Sequence, residues 1–247
     1  MTAPSLDRRN VALVTGGARR IGRSIALALA DDGWDVAVHY RSSAAEAEAL
    51  AAEIVGRGCR AVAVGCDLAS ARDVAGLVPR CASSLGAPTL LVNNASEFRL
   101  DTLASMSAET WDLHHAVNLR APVFLARALA AHLPAGTPGN VVNIIDQRVW
   151  KLTPEFYSYT LSKAGLWAAT RTLAQALAPQ IRVNAIGPGP VLQSVHQHPD
   201  EFAAECRATL LQRGADTREI ADAVRYILRA PAMTGQMIAL DGGQHLS

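Results

Sequence analysis

The 247-residue chain is half apolar, which is ample for one large α/β domain with a buried core. Its 23 basic and 22 acidic residues nearly cancel, and no run of Lys or Arg forms the basic stripe of a nucleic-acid-binding protein. No apolar stretch reaches the roughly 20 residues that cross a bilayer, and the N-terminal segment lacks the apolar core of a secretory signal. We therefore expect a cytosolic protein that acts on a small molecule, without a nucleic-acid or membrane partner.

Apolar runs rich in β-branched residues alternate with longer segments of helical periodicity, a pattern typical of βαβ units around a parallel sheet. We predict strands at residues 10–15, 35–40, 60–66, 89–93, 139–145, 181–186 and 236–240. Helices are predicted at residues 21–32, 43–57, 70–85, 107–132, 158–178 and 217–229. The expected fold is α/β: a Rossmann-like, doubly wound, seven-stranded parallel sheet with helices on both faces, in one domain that spans residues 1–247.

A glycine turn follows the first predicted strand and leads into the first helix. Backbone N–H groups at such a turn and at the helix start can bind a pyrophosphate. Alone, the motif could be only a tight turn, but its place after the first strand favours a dinucleotide. We expect cofactor contacts from Gly16, Arg20, Ile21 and Gly22.

The second strand ends without the acidic residue that an NAD-binding enzyme uses to bind the ribose 2′-hydroxyl. Instead, Arg41 could hold a 2′-phosphate through two hydrogen bonds, with help from neighbouring serine hydroxyls. This composition favours NADPH over NADH, although a solvated arginine at a strand end is the alternative. We predict cofactor contacts from His39, Tyr40, Arg41 and Ser42.

Polar residues also follow the third and fourth strands, at the same carboxyl edge of the predicted sheet. Asp67 with Leu68, and Asn94 with Ala95, could line the adenine and ribose of the cofactor. Turn formation alone would also explain Asp and Asn at these positions.

Tyr159 and Lys163 lie four residues apart, and therefore on one face of the predicted helix. A nearby ammonium stabilises a phenolate, so Lys163 is expected to lower the pKa of Tyr159 and to hold the nicotinamide ribose. A YxxxK string alone usually means a half-buried Tyr beside a solvated Lys. It gains weight from Asp146 at the end of the fifth strand and from Asn118, a polar residue among apolar neighbours in the long helix.

An irregular stretch follows the sixth strand, and we predict a substrate lid there at about residues 188–212. Open parallel sheets bind ligands beyond the carboxyl ends of their strands, which favours a lid over an ordinary surface loop. His196 and His198 form an HxH pair in this stretch. No third ligand is near them in sequence, so we predict solvent exposure and no metal site.

Together these motifs resemble the short-chain dehydrogenase/reductase family over essentially the whole chain. The matching segments are Thr15 with the glycine turn, Asn93-Asn94-Ala95, Asn118, Tyr159 with Lys163, Gly187-Pro188-Gly189 and Leu240-Asp241-Gly242-Gly243. The resemblance implies that Tyr159 is the acid and that Asn118 orders a water relay. It also implies cofactor contacts from Pro188 and Gly189, and a homotetramer.

Two positions depart from that family's pattern, because Arg20 replaces its middle glycine and Asp146 replaces its usual catalytic serine. Both departures are similar to the pteridine reductases. The resemblance extends to His39-Tyr40 with the following Arg-Ser, to residues 94–98 and, for dihydromonapterin reductases, to residues 240–246. It implies reduction of a pterin.

The residue chemistry is consistent with a C=N substrate. Reducing such a bond requires protonation of a ring nitrogen, and a carboxylate at Asp146 can polarise or re-supply the Tyr159 proton. Arg20 is expected to bridge the pyrophosphate and the substrate, Phe98 to cover the heterocycle and Ser96 to bind its amino-substituted edge. The alternatives are a surface arginine, a loop-anchoring phenylalanine and a carboxylate that caps a turn.

We therefore expect NADPH to reduce a dihydropterin, with oxidised pterins and dihydrofolate as further candidate substrates. One competing hypothesis is a carbonyl reductase of the same fold acting on 3-oxoacyl groups or sugars, against which Asp146 argues. Another is a non-catalytic NADP-binding regulator, against which the intact Tyr159 and Lys163 argue. Biopterin, monapterin and folate stay open as substrates, because their side chains would lie against the lid.

Overall fold

The computed structural model describes residues 10–193 and 198–247. In this part of the chain, parallel strands form one seven-stranded sheet in the order β3-β2-β1-β4-β5-β6-β7. The strands are β1 (Val11–Val14), β2 (Asp35–Tyr40), β3 (Ala61–Gly65), β4 (Leu90–Asn93), β5 (Gly139–Ile144), β6 (Ile181–Pro188) and β7 (Met237–Leu240). The strand order reverses between β1 and β4, and a ligand crevice is expected at such a switch point. The predicted fold class is confirmed.

Most of the predicted helices are confirmed. The helices are α1 (Arg20–Asp31), α2 (Ala44–Gly56), α3 (Ala71–Leu85), α4 (Ala108–His115), α5 (Ala121–His132), α6 (Tyr157–Leu177), α7 (Pro199–Arg207) and α8 (Thr217–Arg229). Two corrections are needed. The long helix predicted at residues 107–132 is divided by a π-helical turn, Ala116–Arg120. The stretch predicted as irregular contains α7, whose start is closed by reciprocal capping between His198 and Glu201.

Alternate residues of the central strand face two separate cores. Ala12 and Val14 pack with buried residues of α1, α2 and α8. Val11 and Leu13 pack on the other face with α3 and α5. Burial on both faces explains why the strands are apolar throughout rather than alternating with polar residues. Among the described helices, none has the length and hydropathy of a bilayer-spanning segment.

Candidate active site

A cleft of about 340 Å³ lies at the carboxyl edge of the sheet, between the glycine turn, the end of β2 and the segment after β4. The structure brings these predicted cofactor residues to its walls: Gly16, Arg20, Ile21, Gly22, His39, Tyr40, Arg41, Ser42, Leu68, Asn94 and Ala95. Ser96, predicted for substrate, also lines it. The walls also include Ser43, whose hydroxyl was expected beside the 2′-phosphate, and Ala18, Arg19 and Glu97, for which no contact was predicted.

The glycine turn forms a cradle that a side chain would fill. Gly16 has a φ of +60°, and a Cβ added there would lie 3.0 Å from the Cα of Ala95. A Cβ added at Gly22 would overlap the carbonyl oxygen of Gly16 and the Asn94 amide. Arg19, at the N-cap of α1, makes no side-chain cap. This narrow backbone cradle at an uncapped helix start fits a pyrophosphate.

His39 supports the glycine turn through a hydrogen bond to its backbone. Its buried ring accepts a hydrogen bond from the Gly16 N–H at Nδ1 (2.9 Å), while Nε2 lies 3.0 Å from the Cys66 carbonyl oxygen and donates to it. Burial lowers the pKa of His39 to about 4, so the ring is neutral. Both ring nitrogens have protein partners, so His39 supports the glycine turn, and its cofactor contact stays a prediction.

The segment after β4 is also locked to the turn. The Asn94 amide donates to the carbonyl oxygens of Thr15 (2.9 Å) and Gly16 (3.1 Å). The Thr15 hydroxyl in return accepts from the backbone N–H groups of Asn94 and Ala95. Asp67 differs from these residues because its carboxylate accepts from Ala69 N (3.0 Å) and does not line the cleft. Asp67 therefore forms the turn that was its alternative explanation, and its cofactor contact stays a prediction.

Arg41 meets an acidic residue across the mouth of the cleft. Its exposed guanidinium forms an ion pair with Glu97, whose side chain is only 13% exposed. Arg99 approaches the same carboxylate to 3.6 Å. The pairing joins residues 56 positions apart, so no local sequence pattern could have revealed it.

Tyr159 and Asp146, both predicted to be catalytic, are hydrogen-bonded to each other. The Tyr159 hydroxyl donates to Oδ2 of Asp146 at 2.8 Å. The other carboxylate oxygen, Oδ1, accepts from Arg148 N at 2.8 Å and caps the 3₁₀ turn Gln147–Val149. One carboxylate oxygen therefore caps the turn and the other accepts from Tyr159, and the catalytic role of Asp146 stays a prediction.

The pKa of Tyr159 is shifted in the direction opposite to the prediction. Burial, and then the negative charge of Asp146, raise the pKa of Tyr159 well above its usual value. Burial also raises the pKa of Asp146 and lowers that of Lys163 to about 8. The predicted lowering of the tyrosine pKa is corrected, because the Lys163 ammonium donates to the Ile144 carbonyl (2.9 Å), 5.7 Å from the phenol ring centre. Lys163 does not line the cleft.

Two phenylalanines form an aromatic wall beside the phenol. Phe98 lies edge-on to Tyr159, with ring centres 4.7 Å apart, and stacks face to face on Phe156 at 4.3 Å. The loop-anchoring alternative for Phe98 therefore holds together with its predicted place at the site. Phe156 was missed, although an aromatic residue three positions before the tyrosine was a usable signal.

Asn118 fastens the segment after β4 to α6 from its place in the π-helical turn. Its amide donates to the carbonyl oxygen of Glu97 and to Ser162 Oγ, each at 3.0 Å. Its carbonyl oxygen accepts from Glu97 N (2.9 Å) and Ser96 Oγ (3.2 Å). All four hydrogen-bonding positions of this buried amide are occupied, so the expected water relay is corrected to a positioning role.

A second buried network, which sequence reasoning missed, lies behind the tyrosine. Arg99 N donates to Nε2 of His114 (3.1 Å), which leaves the proton on Nδ1, 2.6 Å from Ser158 Oγ. The Ser158 hydroxyl then donates to Asp101. Burial lowers the pKa of His114, which keeps the ring neutral. The network joins the loop of Phe98 to the start of α6.

The start of the predicted lid packs against Arg20. The arginine has a φ of +54°, and its guanidinium donates to the carbonyl oxygens of Leu192 (3.0 Å) and Gln193 (2.9 Å). Its bridging of cofactor and substrate stays a prediction. Residues 194–197, which include His196 of the HxH pair, lie outside the described residues.

Pro188 and Gly189 are not among the residues that line this cleft, and their cofactor contacts stay predictions. Gly189 N donates to the Leu240 carbonyl oxygen at 3.1 Å. A Cβ added at Gly189 would lie 2.7 Å from the Cα of Asp241. Close packing of these two chain segments explains the glycine.

Comparison with protein families and curated proteins relates the chain to reductases. A family model described as enoyl-(acyl carrier protein) reductase matches residues 16–245. The 3-oxoacyl-[acyl-carrier-protein] reductase FabG of Staphylococcus aureus is 32% identical over 244 residues, covering 95% of this chain and 98% of the relative. A short-chain type dehydrogenase/reductase of Picea abies is 33% identical over 248 residues, covering 95% and 92%.

Solved structures match more strongly. FolM alternative dihydrofolate reductase 1 from Brucella suis, in complex with NADP, is 52% identical with a TM-score of 0.94 and covers 96% of each chain. The protein of the same name from Brucella canis, also complexed with NADP, is 51% identical with a TM-score of 0.92, covering 96% of this chain and 95% of that one. A short chain dehydrogenase from Burkholderia cenocepacia in complex with NADP is 33% identical with a TM-score of 0.88, covering 95% and 97%.

Proposed function

The chain belongs to the short-chain dehydrogenase/reductase family, and from this premise we propose that it is an NADPH-dependent reductase of pterins, converting a dihydropterin to the tetrahydropterin. The observation that carries the proposal is the 2.8 Å hydrogen bond from the Tyr159 hydroxyl to Asp146. A carboxylate at this point suits protonation of a ring nitrogen. The two Brucella proteins, which are named alternative dihydrofolate reductases, support the same substrate class.

The cleft residues hold NADPH in this proposal. The cradle between Gly16 and Gly22, where a Cβ has no room, would hold the pyrophosphate. Arg41 and Ser42, on the wall at the end of β2, bind the 2′-phosphate. When bound, the cofactor supplies the hydride that reduces the C=N carbon.

Tyr159 delivers the proton to the substrate nitrogen. Its raised pKa keeps the phenol protonated until a basic ring nitrogen accepts the proton. Asp146 orients the hydroxyl, and the raised pKa of its carboxyl lets it take up a proton and return it to the phenolate. Lys163, whose pKa of about 8 leaves it mostly protonated at neutral pH, stabilises the negative charge that develops between them.

The remaining residues orient the substrate. Phe98, perpendicular to the Tyr159 ring, offers a flat apolar surface for the heterocycle. Ser96 lines the cleft and its hydroxyl donates to Asn118, so it is placed to bind the polar edge of a pterin.

The test is NADPH oxidation by the purified protein with dihydrobiopterin, dihydromonapterin and dihydrofolate, repeated with Asp146→Ala. We expect turnover of at least one of these compounds and a loss on the order of 100-fold in the variant. Asp222→Ala, an exposed carboxylate on α8, is the matched control and should keep full activity. Failure of the wild-type protein to oxidise NADPH with any pterin would overturn the proposal.

A carbonyl reductase is the second candidate, favoured by the 3-oxoacyl reductases among the curated relatives. Acetoacetyl-CoA, a 3-oxoacyl thioester, tests it in the same assay. Reduction of this ketone without reduction of any pterin would establish the carbonyl reductase. An NADPH-binding protein that oxidises the cofactor with neither substrate would instead be a regulator. The homotetramer stays a prediction, which light scattering tests.

A further inference from the structure

His114 at the end of α4 and Asn118 in the π-helical turn are two fully buried polar side chains that lie four positions apart. Each bonds to a serine of α6. His114 Nδ1 donates to Ser158 Oγ (2.6 Å), and the Asn118 amide donates to Ser162 Oγ (3.0 Å). The two serines are also four positions apart, so the contacts join the helices at successive turns. Tyr159 directly follows the first serine.

The same two side chains hold the peptide groups on either side of Phe98. The Asn118 amide donates to the Glu97 carbonyl oxygen (3.0 Å), which belongs to the peptide group before Phe98. Nε2 of His114 accepts from Arg99 N (3.1 Å), which belongs to the peptide group after it. Burial lowers the pKa of His114, so Nε2 stays an acceptor at neutral pH. The backbone of Phe98 is therefore fixed from both sides by neighbouring side chains of one helical segment.

Asp101 fastens the same segment after β4 to the start of α6. Its Oδ1 accepts from Ser158 N (3.1 Å), and its other carboxylate oxygen accepts from the Ser158 hydroxyl. Phe156, at the N-cap of α6, has a φ of +53° and makes no side-chain cap, so Asp101 supplies the cap that this helix lacks. The polar side-chain atoms of His114, Ser158 and Asp101 thus all have partners. A fully satisfied buried network of this kind specifies one arrangement of the segments that it joins.

We infer that His114 is a positioning residue for the substrate, which sets the Phe98 ring against Tyr159 as the counterpart of Asn118. The inference rests on the proposed pterin reduction. A heterocycle that packs on Phe98 must meet the Tyr159 hydroxyl at a fixed spacing, because proton transfer requires close and aligned atoms. His114 is fully buried and does not line the cleft, so it acts through the peptide group after Phe98 rather than on the substrate.

Two amide substitutions separate positioning from a merely structural role. His114→Gln places an amide oxygen near the position of Nε2, so it can keep the acceptor for Arg99 N. His114→Asn reaches only about as far as Nδ1, so it can keep the donor to Ser158 Oγ and loses the contact with Arg99. Both variants lose the same buried ring, and each is therefore the matched control for the other.

Steady-state kinetics use the pterin that the wild-type protein reduces fastest. We expect its KM to rise about fivefold in His114→Asn, the worth of one hydrogen bond, and less than about twofold in His114→Gln. In both variants kcat and the Kd for NADPH should stay within about twofold, because Tyr159 and the glycine turn are unchanged. Thermal unfolding should show a similar loss of stability in the two. Equal KM values in the two variants would mean a structural role only and would overturn the inference.

Amide hydrogen exchange, measured residue by residue by NMR, tests the positioning without turnover. The Glu97 N–H, which donates to Asn118, is the internal reference for the Arg99 N–H. Both should be protected in the wild-type protein, and only the Arg99 N–H should lose protection in His114→Asn. That result supports the inference even if no pterin is reduced and the proposed function fails. An unprotected Arg99 N–H in the wild-type protein, which needs no variant, overturns the inference while leaving pterin reduction intact.

Discussion

The two sides of the cleft are held together in different ways. On the cofactor side, the glycine turn is fixed by buried polar groups that bond to its backbone: His39 holds Gly16 N, and Asn94 holds two carbonyl oxygens of the turn. On the substrate side, Phe98 from the segment after β4 meets Phe156 and Tyr159, which lie at the start of α6, through ring contacts. The cofactor side is therefore held by hydrogen bonds to the backbone of the glycine turn, whereas the substrate side is held by contacts between individual side chains.

This difference predicts how substitutions will act. Changes on the substrate side should alter turnover while leaving the fold and cofactor affinity nearly unchanged. Changes on the cofactor side should reduce stability and cofactor affinity together, because the same hydrogen bonds serve both.

The largest expected effect is that of Tyr159→Phe, which removes the proton donor. We expect kcat for the pterin substrate to fall on the order of 1,000-fold, with the Kd for NADPH unchanged within about twofold. Steady-state kinetics and a fluorescence titration of NADPH measure the two quantities. Tyr157→Phe, two residues earlier on α6, is the matched control. Loss of NADPH binding in Tyr159→Phe would contradict the independence of the two sides.

The next largest effect concerns His39 and pH. The ordinary pKa of 6.5 falls to about 4 in the folded protein, so the unfolded chain takes up a proton first as the pH drops below 6.5. The contribution of His39 to the free energy of unfolding is therefore fully present above pH 6.5. It declines by about 3 kcal/mol as the pH falls to 4.

Urea unfolding across that pH range measures the decline. His39→Gln, which keeps a side-chain acceptor for Gly16 N, should be less stable at neutral pH but should lose less stability on acidification. His132→Gln, an exposed histidine on α5, should follow the wild-type slope. If the free energy of unfolding of all three proteins declines equally with falling pH, the buried His39 ring is not the group whose protonation destabilises the protein.

Gly22→Ala tests the backbone cradle of the glycine turn. We expect it to destabilise the protein somewhat less than protonation of His39 does. The added Cβ meets the Gly16 carbonyl oxygen and the Asn94 amide, and such overpacking costs roughly 1–3 kcal/mol. Thermal unfolding and NADPH titration should show both stability and affinity reduced. Gly56→Ala has open space around the new methyl group on α2 and should be neutral or slightly stabilising. Loss of NADPH affinity without loss of thermal stability would mean that packing at Gly22 does not stabilise the fold.

The same contrast explains what the sequence could predict. Strands, most helices and the glycine turn follow from apolar periodicity and a local motif, and they agree with the structure. Glu97 was missed because its partner Arg41 is 56 positions away in sequence. Phe156 lies three positions before Tyr159, but its role became visible only through its stacking on Phe98. Helix α7 was missed because its cap is a histidine rather than one of the common capping residues. The supporting roles of His39 and Asn118 needed their hydrogen-bond partners, which no spacing rule supplies.

The smallest effect is expected where the two sides meet, at the ion pair of Arg41 and Glu97. Glu97 competes with the 2′-phosphate for the guanidinium, so Glu97→Gln should tighten NADPH binding two- to fivefold, about the worth of an exposed ion pair. The gain should shrink at high salt and should be absent for NADH, which lacks the phosphate. Glu53→Gln on α2, which also removes an acid paired with arginines, is the matched control. Weaker NADPH binding in Glu97→Gln would instead mean that Glu97 holds Arg41 in its binding position, and the cofactor side would then depend on a residue from the substrate loop.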